Sequence, residues 1–169
     1  QENITGDASV CALTTHTYSV PANTGSTYQW FIPPGASIVS ADPTINTVDI
    51  QFGLISGNVR VIETTSGGCV TTHNPLAVTV NQLPISTLNV DRIAACLGDT
   101  VTFTAGPAGQ LNYEFFVNGV SAQNGPSEIY ETDSLANADQ VTVNVTSLDG
   151  CEQLSPVVQM TIYDPPVVT

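Results

Sequence analysis

The stretch YQWFIPPGAS, residues 28–37, returns in altered form as YEFFVNGVSA at residues 113–122, an offset of 113 − 28 = 85. The same offset aligns Cys11 with Cys96, since 96 − 11 = 85. Further along the chain the offset falls to 151 − 69 = 82, which aligns Gly68-Cys69 with Gly150-Cys151. Periodicity of this length indicates tandem copies of one structural unit. The change in offset falls in the variable middle of the unit, where loops tolerate insertions.

Both copies consist of short runs in which apolar and polar residues alternate, such as Val59-Arg-Val-Ile and Val141-Thr-Val-Asn-Val. Runs of this kind, bounded by Gly, Pro, Asn and Asp, predict β-strands, and no stretch has convincing helical periodicity. About seven strand-like segments in roughly 85 residues are typical of an immunoglobulin-like sandwich. The sequence therefore predicts an all-β protein of two tandem immunoglobulin-like β-sandwich domains, with Trp30 and Phe115 as core residues on the third strand of each.

The boundary between the copies is predicted near Asn81-Gln-Leu-Pro-Ile-Ser, which gives domains at residues 1–82 and 83–169. At the second of the two offsets, Pro166-Val167 corresponds to Pro84-Ile85 in this linker. We therefore expect the chain to end in a linker to a further repeat, as a segment excised from a longer array would; a natural C-terminus is the alternative.

The charge of the chain excludes several functions. Fifteen acidic residues are balanced only by Arg60 and Arg92, which gives a formal net charge of −13, and there is no lysine. Such a surface repels phosphate groups, so we expect no nucleic-acid partner and no docking to anionic lipid. No apolar run has the length of a membrane span, so no membrane insertion is expected. Without lysine, the chain cannot form Lys–Asn isopeptide cross-links.

Motifs in both copies resemble those of one group of bacterial surface proteins. The first copy, with Tyr28-x-Trp30, Pro34-Gly-Ala-x-Ile38, Phe52-Gly53 and Ser56-Gly-Asn-Val59, resembles the PKD-like domains of Bacteroidota surface proteins. The second copy, with Cys96-x-Gly-Asp-x-Val-Thr-Phe103, Tyr113-x-Phe-Phe-Val-Asn-Gly119 and Thr146-Ser-Leu-Asp-Gly-Cys151, resembles the Ig-like repeats of very large Bacteroidota adhesins. Gliding-motility adhesins and other proteins exported by the type IX secretion system are built from such repeats. The first copy lacks the usual Trp-Asp-Phe-Gly-Asp-Gly core string, so it is a divergent relative.

The resemblance implies a function without catalysis. It predicts a structural or adhesive repeat segment of a long cell-surface adhesin or stalk, located outside the cell, with no cofactor. The expected partners are neighbouring repeats of the same chain, together with surface polysaccharide or other adhesin subunits. The alternative is an accessory module, of the glycan-binding kind, in a secreted hydrolase. Exposed aromatic side chains in a row would favour the alternative.

Four cysteines in an exported protein predict disulfides, and two schemes stay open. One pairs Cys11 with Cys69 and Cys96 with Cys151, inside each domain. The other pairs Cys11 with Cys151 between domains and leaves Cys69 and Cys96 for absent neighbours. The second scheme arises because Cys96 precedes the second strand whereas Cys151 follows the sixth, which places them at opposite ends of a sandwich. A disulfide requires Cα atoms within about 7 Å of each other.

Other chemistry has weaker support. Each of the two histidines, His16 and His73, stands alone in the sequence, so no Ser-His-Asp site is expected. The second copy keeps the cysteines but has Val101 and Ser155 at the histidine positions, which disfavours a zinc site.

Two kinds of surface site are weaker candidates still. The acidic residues Glu128, Glu131, Asp133 and Asp139 are weak candidates for Ca²⁺, because this cation needs several oxygen ligands. Thr100 and Ser134 follow aspartates and precede apolar residues, a short pattern that Bacteroidota use for O-glycosylation, which makes both candidate sites.

Overall fold

The computed structural model describes residues 2–165 and contains eighteen β-strands and no helix in that range. The chain divides into two compact units, Gln1–Gln82 and Leu83–Thr169, and each is described by itself. The predicted all-β class and immunoglobulin-like architecture are confirmed. In the described range there is accordingly no helix long and apolar enough to cross a membrane. Pro166 and Val167, on which the expected linker to a further repeat depends, lie outside the described residues.

The first unit contains eight strands in two sheets. Strand β3 pairs antiparallel with β6, which also pairs with β7 and β8, and β1 adds to β8 in parallel. The second sheet has the order β2-β5-β4 and is antiparallel. The strands are β1 Ser9–Cys11, β2 Thr15–Ser19, β3 Thr27–Phe31, β4 Ser37–Ile38, β5 Thr47–Gln51, β6 Gly57–Thr64, β7 Val70–Thr72 and β8 Leu76–Asn81.

The second unit follows a related plan with ten strands. One sheet has the order β13-β12-β15-β16, with β17 also on β15; another has the order β14-β11-β9; and β10 pairs in parallel with β18. The strands are β9 Thr87–Val90, β10 Ala94–Cys96, β11 Val101–Gly106, β12 Asn112–Val117, β13 Val120–Gly125, β14 Ile129–Thr132, β15 Gln140–Thr146, β16 Glu152–Leu154, β17 Val158–Gln159 and β18 Thr161–Tyr163.

Alternation along the strands places apolar side chains inside each unit. In the second unit, alternate residues of β11, β12 and β15 form one buried cluster, with the Tyr130 ring 6.0 Å from Phe103 and 5.4 Å from Phe115. In the first unit, Trp30 is buried as predicted, and its indole Nε1 donates a hydrogen bond to the Ile45 carbonyl at 3.0 Å. Each unit therefore has its own hydrophobic core.

The tyrosine that opens each copy of the repeated stretch ties down a loop. The Tyr28 hydroxyl accepts a hydrogen bond from the Asn23 amide at 2.9 Å. The Tyr113 hydroxyl accepts one from the Gln110 amide at 3.0 Å and donates to the Pro107 carbonyl at 2.7 Å. Both rings are buried and both hydroxyls act on the loop that precedes their strand. The repetition of this tyrosine thus has a structural cause.

Candidate functional site

The four cysteines lie on two kinds of backbone frame, and each frame occurs once in each unit. The first frame, here called the strand-end corner, comprises residues 11–14 and 96–99. In the first unit Cys11 is the last residue of β1, paired in parallel with Asn81 at the end of β8. The Ala12 amide donates to the Asn81 carbonyl at 2.8 Å and the Thr14 amide to the Cys11 carbonyl at 3.4 Å. Leu13 has a positive φ of 66°.

The second unit builds the same corner around Cys96. This residue ends β10 and pairs in parallel with Tyr163 at the end of β18. The Leu97 amide donates to the Tyr163 carbonyl at 2.9 Å, and the Asp99 amide donates to the Cys96 carbonyl at 3.0 Å. Gly98 has a φ of 90°, the left-handed region that glycine enters without strain. The two corners therefore share pairing, hydrogen bonds and the position of the left-handed residue.

The second frame, here called the five-residue loop, comprises residues 65–69 and 147–151. In the first unit the Thr65 amide donates to the Cys69 carbonyl at 3.0 Å, and the Gly68 amide donates to the Thr65 carbonyl at 2.9 Å. The Cys69 amide donates to the Thr65 hydroxyl at 3.1 Å. A hydroxyl that accepts from the backbone in this way stabilises a turn, and Gly68 supplies a φ of 82°.

The loop of the second unit has the same hydrogen bonds. The Ser147 amide donates to the Cys151 carbonyl at 2.8 Å, the Gly150 amide to the Ser147 carbonyl at 2.9 Å, and the Cys151 amide to the Ser147 hydroxyl at 3.1 Å. Gly150 has a φ of 81°. A hydroxyl residue, a glycine and a cysteine at fixed spacing therefore specify this loop in both copies.

The bonding state of the cysteines differs between the copies. Cys11 and Cys151 are disulfide-bonded, whereas Cys69 and Cys96 are free, exposed thiols. The pairs Cys11–Cys69 and Cys96–Cys151, one of the two schemes expected from the sequence, therefore do not form. The strands give the reason. The five-residue loop follows β6 at one end, and the strand-end corner lies at the other end of the sheet, so β6, eight residues or about 26 Å long, separates them.

His16 is not isolated, contrary to the expectation from the sequence. Its Nδ1 lies 2.8 Å from an Asp7 carboxylate oxygen, and its Nε2 lies 2.8 Å from the Thr14 hydroxyl. That hydroxyl also donates to the Cys11 carbonyl at 2.6 Å. The Thr14 hydrogen is thus engaged with backbone, and the arrangement holds the strand-end corner. The separation of Asp7 from His16 along the chain gave no local signal for this contact.

His73 likewise has an acidic partner, inside the first unit. Its Nε2 lies 3.1 Å from a Glu63 carboxylate oxygen, and both side chains are buried, with 3% and 4% of the surface of His73 and Glu63 exposed. The other Glu63 oxygen accepts from Asn23 Nδ2 at 2.8 Å. The nearby Ser26 hydroxyl makes the largest contribution to a lowered Glu63 pKa, although it makes no hydrogen bond of regular geometry. The sequence did indicate that Glu63 is buried, because alternation along the strand places it on the inward face after Val59 and Val61.

Tyr18 is another titratable group whose pKa is clearly shifted. Its ring is fully buried, and its hydroxyl donates to the Asp7 carbonyl at 2.8 Å. Burial, with the Asp7 carboxylate as a second cause, raises the pKa of Tyr18 to about 12. The phenol is therefore a neutral structural donor at physiological pH.

The aromatic side chains do not form an exposed row. All eleven aromatic residues belong to the described part of the chain, and among them only Tyr163 has more than half of its surface exposed. Phe31 is half-buried because the Arg60 guanidinium lies over its ring, 5.2 Å from the centroid. These two residues line a small surface pocket together with Ile62 and Thr72.

Two of the four predicted calcium candidates make local side-chain contacts. Asp139 uses one carboxylate oxygen to accept from Asn118 Nδ2 at 2.7 Å and the other to accept from the Ala136 amide at 2.8 Å. Glu131 lies on β14, with Thr102 Oγ1 3.5 Å from its carboxylate, whereas Glu128 and Asp133 lie outside the strands. Within residues 2–165 no three His, Cys, Asp or Glu side chains come together as a metal site requires.

The glycosylation candidates Thr100 and Ser134 are both exposed. The Ser134 hydroxyl lies 3.0 Å from the Thr132 hydroxyl. Whether either residue carries a sugar stays a prediction.

The fold and the cysteine frames define a tandem module of immunoglobulin-like sandwiches. A family model described as a PKD-like domain matches residues 1–80. No curated protein matches the sequence.

Several solved structures are similar in fold. Fibronectin(III)-like modules of CbhA from Clostridium thermocellum have 14% identity and a TM-score of 0.48, over 95% of this chain and 94% of that chain. Murine CEACAM1b has 15% identity and a TM-score of 0.44, over 95% and 100% of the two chains. The D00-D0 domain of intimin has 13% identity and a TM-score of 0.39, over 94% and 98%.

Proposed function

We propose that this chain is a structural and adhesive repeat segment of a long cell-surface adhesin or stalk, exported in the manner of the Bacteroidota adhesins that its motifs resemble. The observation that carries the proposal is the internal duplication. A short strand paired in parallel with the last strand, the loop-tying tyrosine and both cysteine frames occur in each unit. Repetition of a whole module, rather than elaboration of one cleft, suits a part that sets length and spacing.

The proposed role needs no catalysis. The histidines have acidic neighbours, yet His73 is enclosed in the core and His16 supports a turn. The disulfide supports an oxidising location, that is, a secreted or surface protein. The net charge of −13 keeps densely displayed chains apart by self-repulsion.

The proposal includes the pairing of Cys11 with Cys151. These two cysteines belong to different units and are the bonded ones, whereas the other two are free. A bond that joins successive modules would limit bending at the junction. It would leave two thiols that react with a thiol reagent in the denatured, unreduced chain and four after reduction. Peptide mapping should recover Cys11 and Cys151 in one linked fragment, and four protected cysteines would contradict the pairing.

Fractionation of source cells tests the function. An antibody raised against this chain is used to blot surface, periplasmic, cytoplasmic and medium fractions, with antibody absorbed on the pure chain as the control. We expect a very large band in the surface fraction. A band of ordinary enzyme size in the medium would overturn the proposal and would favour the accessory module of a secreted hydrolase. The lack of an exposed aromatic row among the described residues disfavours that alternative beforehand.

A further inference from the structure

We propose that Cys69 and Cys96 are covalent docking sites for further copies of the same module, so that a five-residue loop of one copy joins a strand-end corner of another. The inference rests on the proposed function as a repeat segment. The inference goes beyond that function by naming the partner, the sulfur atoms that are joined and the rule that selects them.

The first step is the identity of the frames. Cys69 lies on a loop whose three hydrogen bonds join the same backbone and hydroxyl positions as those that hold Cys151. Cys151 is disulfide-bonded and buried, whereas Cys69 is free and exposed. The same frame thus carries a disulfide in one unit and an unused thiol in the other. A preorganised loop loses little freedom when a bond forms.

The second step is the same comparison at the strand-end corners. Cys96 ends a short strand paired in parallel with the last strand of its unit, as Cys11 does. Cys11 is disulfide-bonded and Cys96 is a free, exposed thiol. Each kind of frame therefore occurs once with a disulfide and once without one. The unused pair consists of one loop and one corner, which is the combination that the proposed bond between Cys11 and Cys151 uses.

The third step is the surface around the free thiols. Val70, next to Cys69, has 65% of its surface exposed. Beside Cys96, Leu97 is 55% exposed and Ile93 is 65% exposed. Apolar side chains of this size at both free frames give a docked module something to cover, because burial of apolar surface is favourable.

The covalent step is thiol–disulfide exchange, with a small-molecule or protein disulfide as the oxidant. The Cys69 thiolate attacks the oxidant, breaks its S–S bond and releases one thiolate, which takes up a proton. The Cys96 thiolate of the other copy then attacks the mixed disulfide and releases the second thiolate. Two protein thiols lose two electrons and two protons, and the oxidant is reduced to two thiols.

The test uses the full chain in a buffer of reduced and oxidised glutathione. After exchange is quenched with acid, linked peptides are quantified by mass spectrometry. We expect Cys69–Cys96 links between copies to exceed both Cys69–Cys69 and Cys96–Cys96 links by about tenfold, which corresponds to about 1.4 kcal/mol of selective docking. Multimers should form in head-to-tail order, and Cys69→Ser or Cys96→Ser should each prevent their growth.

The matched control is Cys96→Ser combined with Ser121→Cys, which moves the second thiol to an exposed position on β13, outside either frame. Cys69 should couple to this relocated thiol about tenfold less than to Cys96. The inference would be overturned if Cys69–Cys96, Cys69–Cys69 and Cys96–Cys96 links formed in statistical proportions. Equal coupling of Cys69 to the control thiol, or formation of glutathione adducts alone, would overturn it as well. Such a result together with a very large surface band would reject covalent docking and leave the proposed function intact. Selective coupling together with a small secreted band would reject the function.

Discussion

Glu63 and His73 distinguish the first unit from the second at the level of single residues. At the second repeat offset their positions are held by Val145 and Ser155, since 145 − 63 and 155 − 73 both equal 82, and the strands have the same pairing. The backbone contact is equivalent too, since the His73 amide donates to the Val61 carbonyl at 3.2 Å and the Ser155 amide to that of Val143 at 2.9 Å. The second unit therefore shows that the fold does not require a buried acid–base pair.

Removal of one partner should cost more than removal of both. His73→Ser leaves the buried Glu63 carboxylate without its imidazole donor, and we expect a loss of about 3–5 kcal/mol in the free energy of unfolding. Glu63→Val with His73→Ser copies the second unit, and we expect it to restore most of that loss. Trp30 is the only tryptophan, so urea unfolding followed by its fluorescence reports on the first unit alone. A double variant less stable than His73→Ser would contradict this account.

The lowered pKa of Glu63 predicts a loss of stability in acid. Because the folded-state pKa lies below the unfolded value of about 4.3, the native state binds fewer protons than the unfolded state around that pH. The contribution is complete above pH ~4.3 and is lost as the pH falls through the folded-state pKa. Glu63→Gln should make the Trp30 unfolding midpoint less dependent on pH between about 5 and 3, whereas the exposed Glu2→Gln should not. Equal pH dependence of the unfolding midpoint in the unchanged chain, Glu63→Gln and Glu2→Gln would contradict a role of Glu63 in acid stability.

At the scale of the element, most strands follow from alternation, and the departures have local causes. Alternation breaks after Val117, where β12 ends, and β13 begins at Val120. Asn118 and Gly119 both have positive φ, 52° and 77°, as a tight hairpin turn requires. The Asn-Gly pair was a readable signal for this hairpin.

One run of alternating residues is divided between two strands. Residues 158–162 alternate between apolar and polar as in a single strand, but they are split into β17 and β18 at Met160. The Met160 amide donates to the Asp139 carbonyl and its carbonyl accepts from the Ala138 amide, so it leaves the regular ladder. That exchange depends on a turn distant in the chain, and local alternation could not predict it.

Two glycine-containing motifs of the first copy meet in the fold, and their close approach explains the glycine at position 53. A Cβ on Gly53 would overlap the carbonyl oxygen of Gly35. We expect Gly53→Ala to lower the free energy of unfolding by about 1–3 kcal/mol, because backbone must move to make room. Gly67→Ala is the matched control, since its nearest neighbour would be 3.9 Å away. Trp30 fluorescence in urea measures both, and equal stability of the two variants would show that the close approach is unimportant.

At the scale of the whole molecule, the duplication could be predicted from the sequence, whereas the choice between the two disulfide schemes could not. The spacing of the cysteines in the sequence is enough to place the two cysteines of each copy at opposite ends of its sandwich. Which of them are bonded depends on strand ends, and these are fixed by pairings between distant residues. Cys11 aligns with Asn81 and Cys96 with Tyr163, partners that lie most of a repeat away in the chain. The contacts of His16 and His73 could not be predicted from the sequence for the same reason, since their partners come from other strands or loops.

The duplication also predicts that the two units unfold independently in the reduced chain, in which the proposed Cys11–Cys151 bond is broken. Val61 and Val143 are equivalent, both lie fully buried, and each belongs to the core of its own unit. In reduced chain, Val61→Ala should lower the free energy of the Trp30-monitored transition by about 2 kcal/mol, from lost apolar burial and the cavity left behind. Val143→Ala should leave that transition unchanged within about 0.5 kcal/mol, because Val143 packs in the core of the other unit. Circular dichroism, which reports on both units, should show the destabilisation by Val143→Ala that Trp30 does not. If Val143→Ala shifts the Trp30 transition as much as Val61→Ala does, the two units unfold cooperatively and the prediction of independent unfolding is wrong.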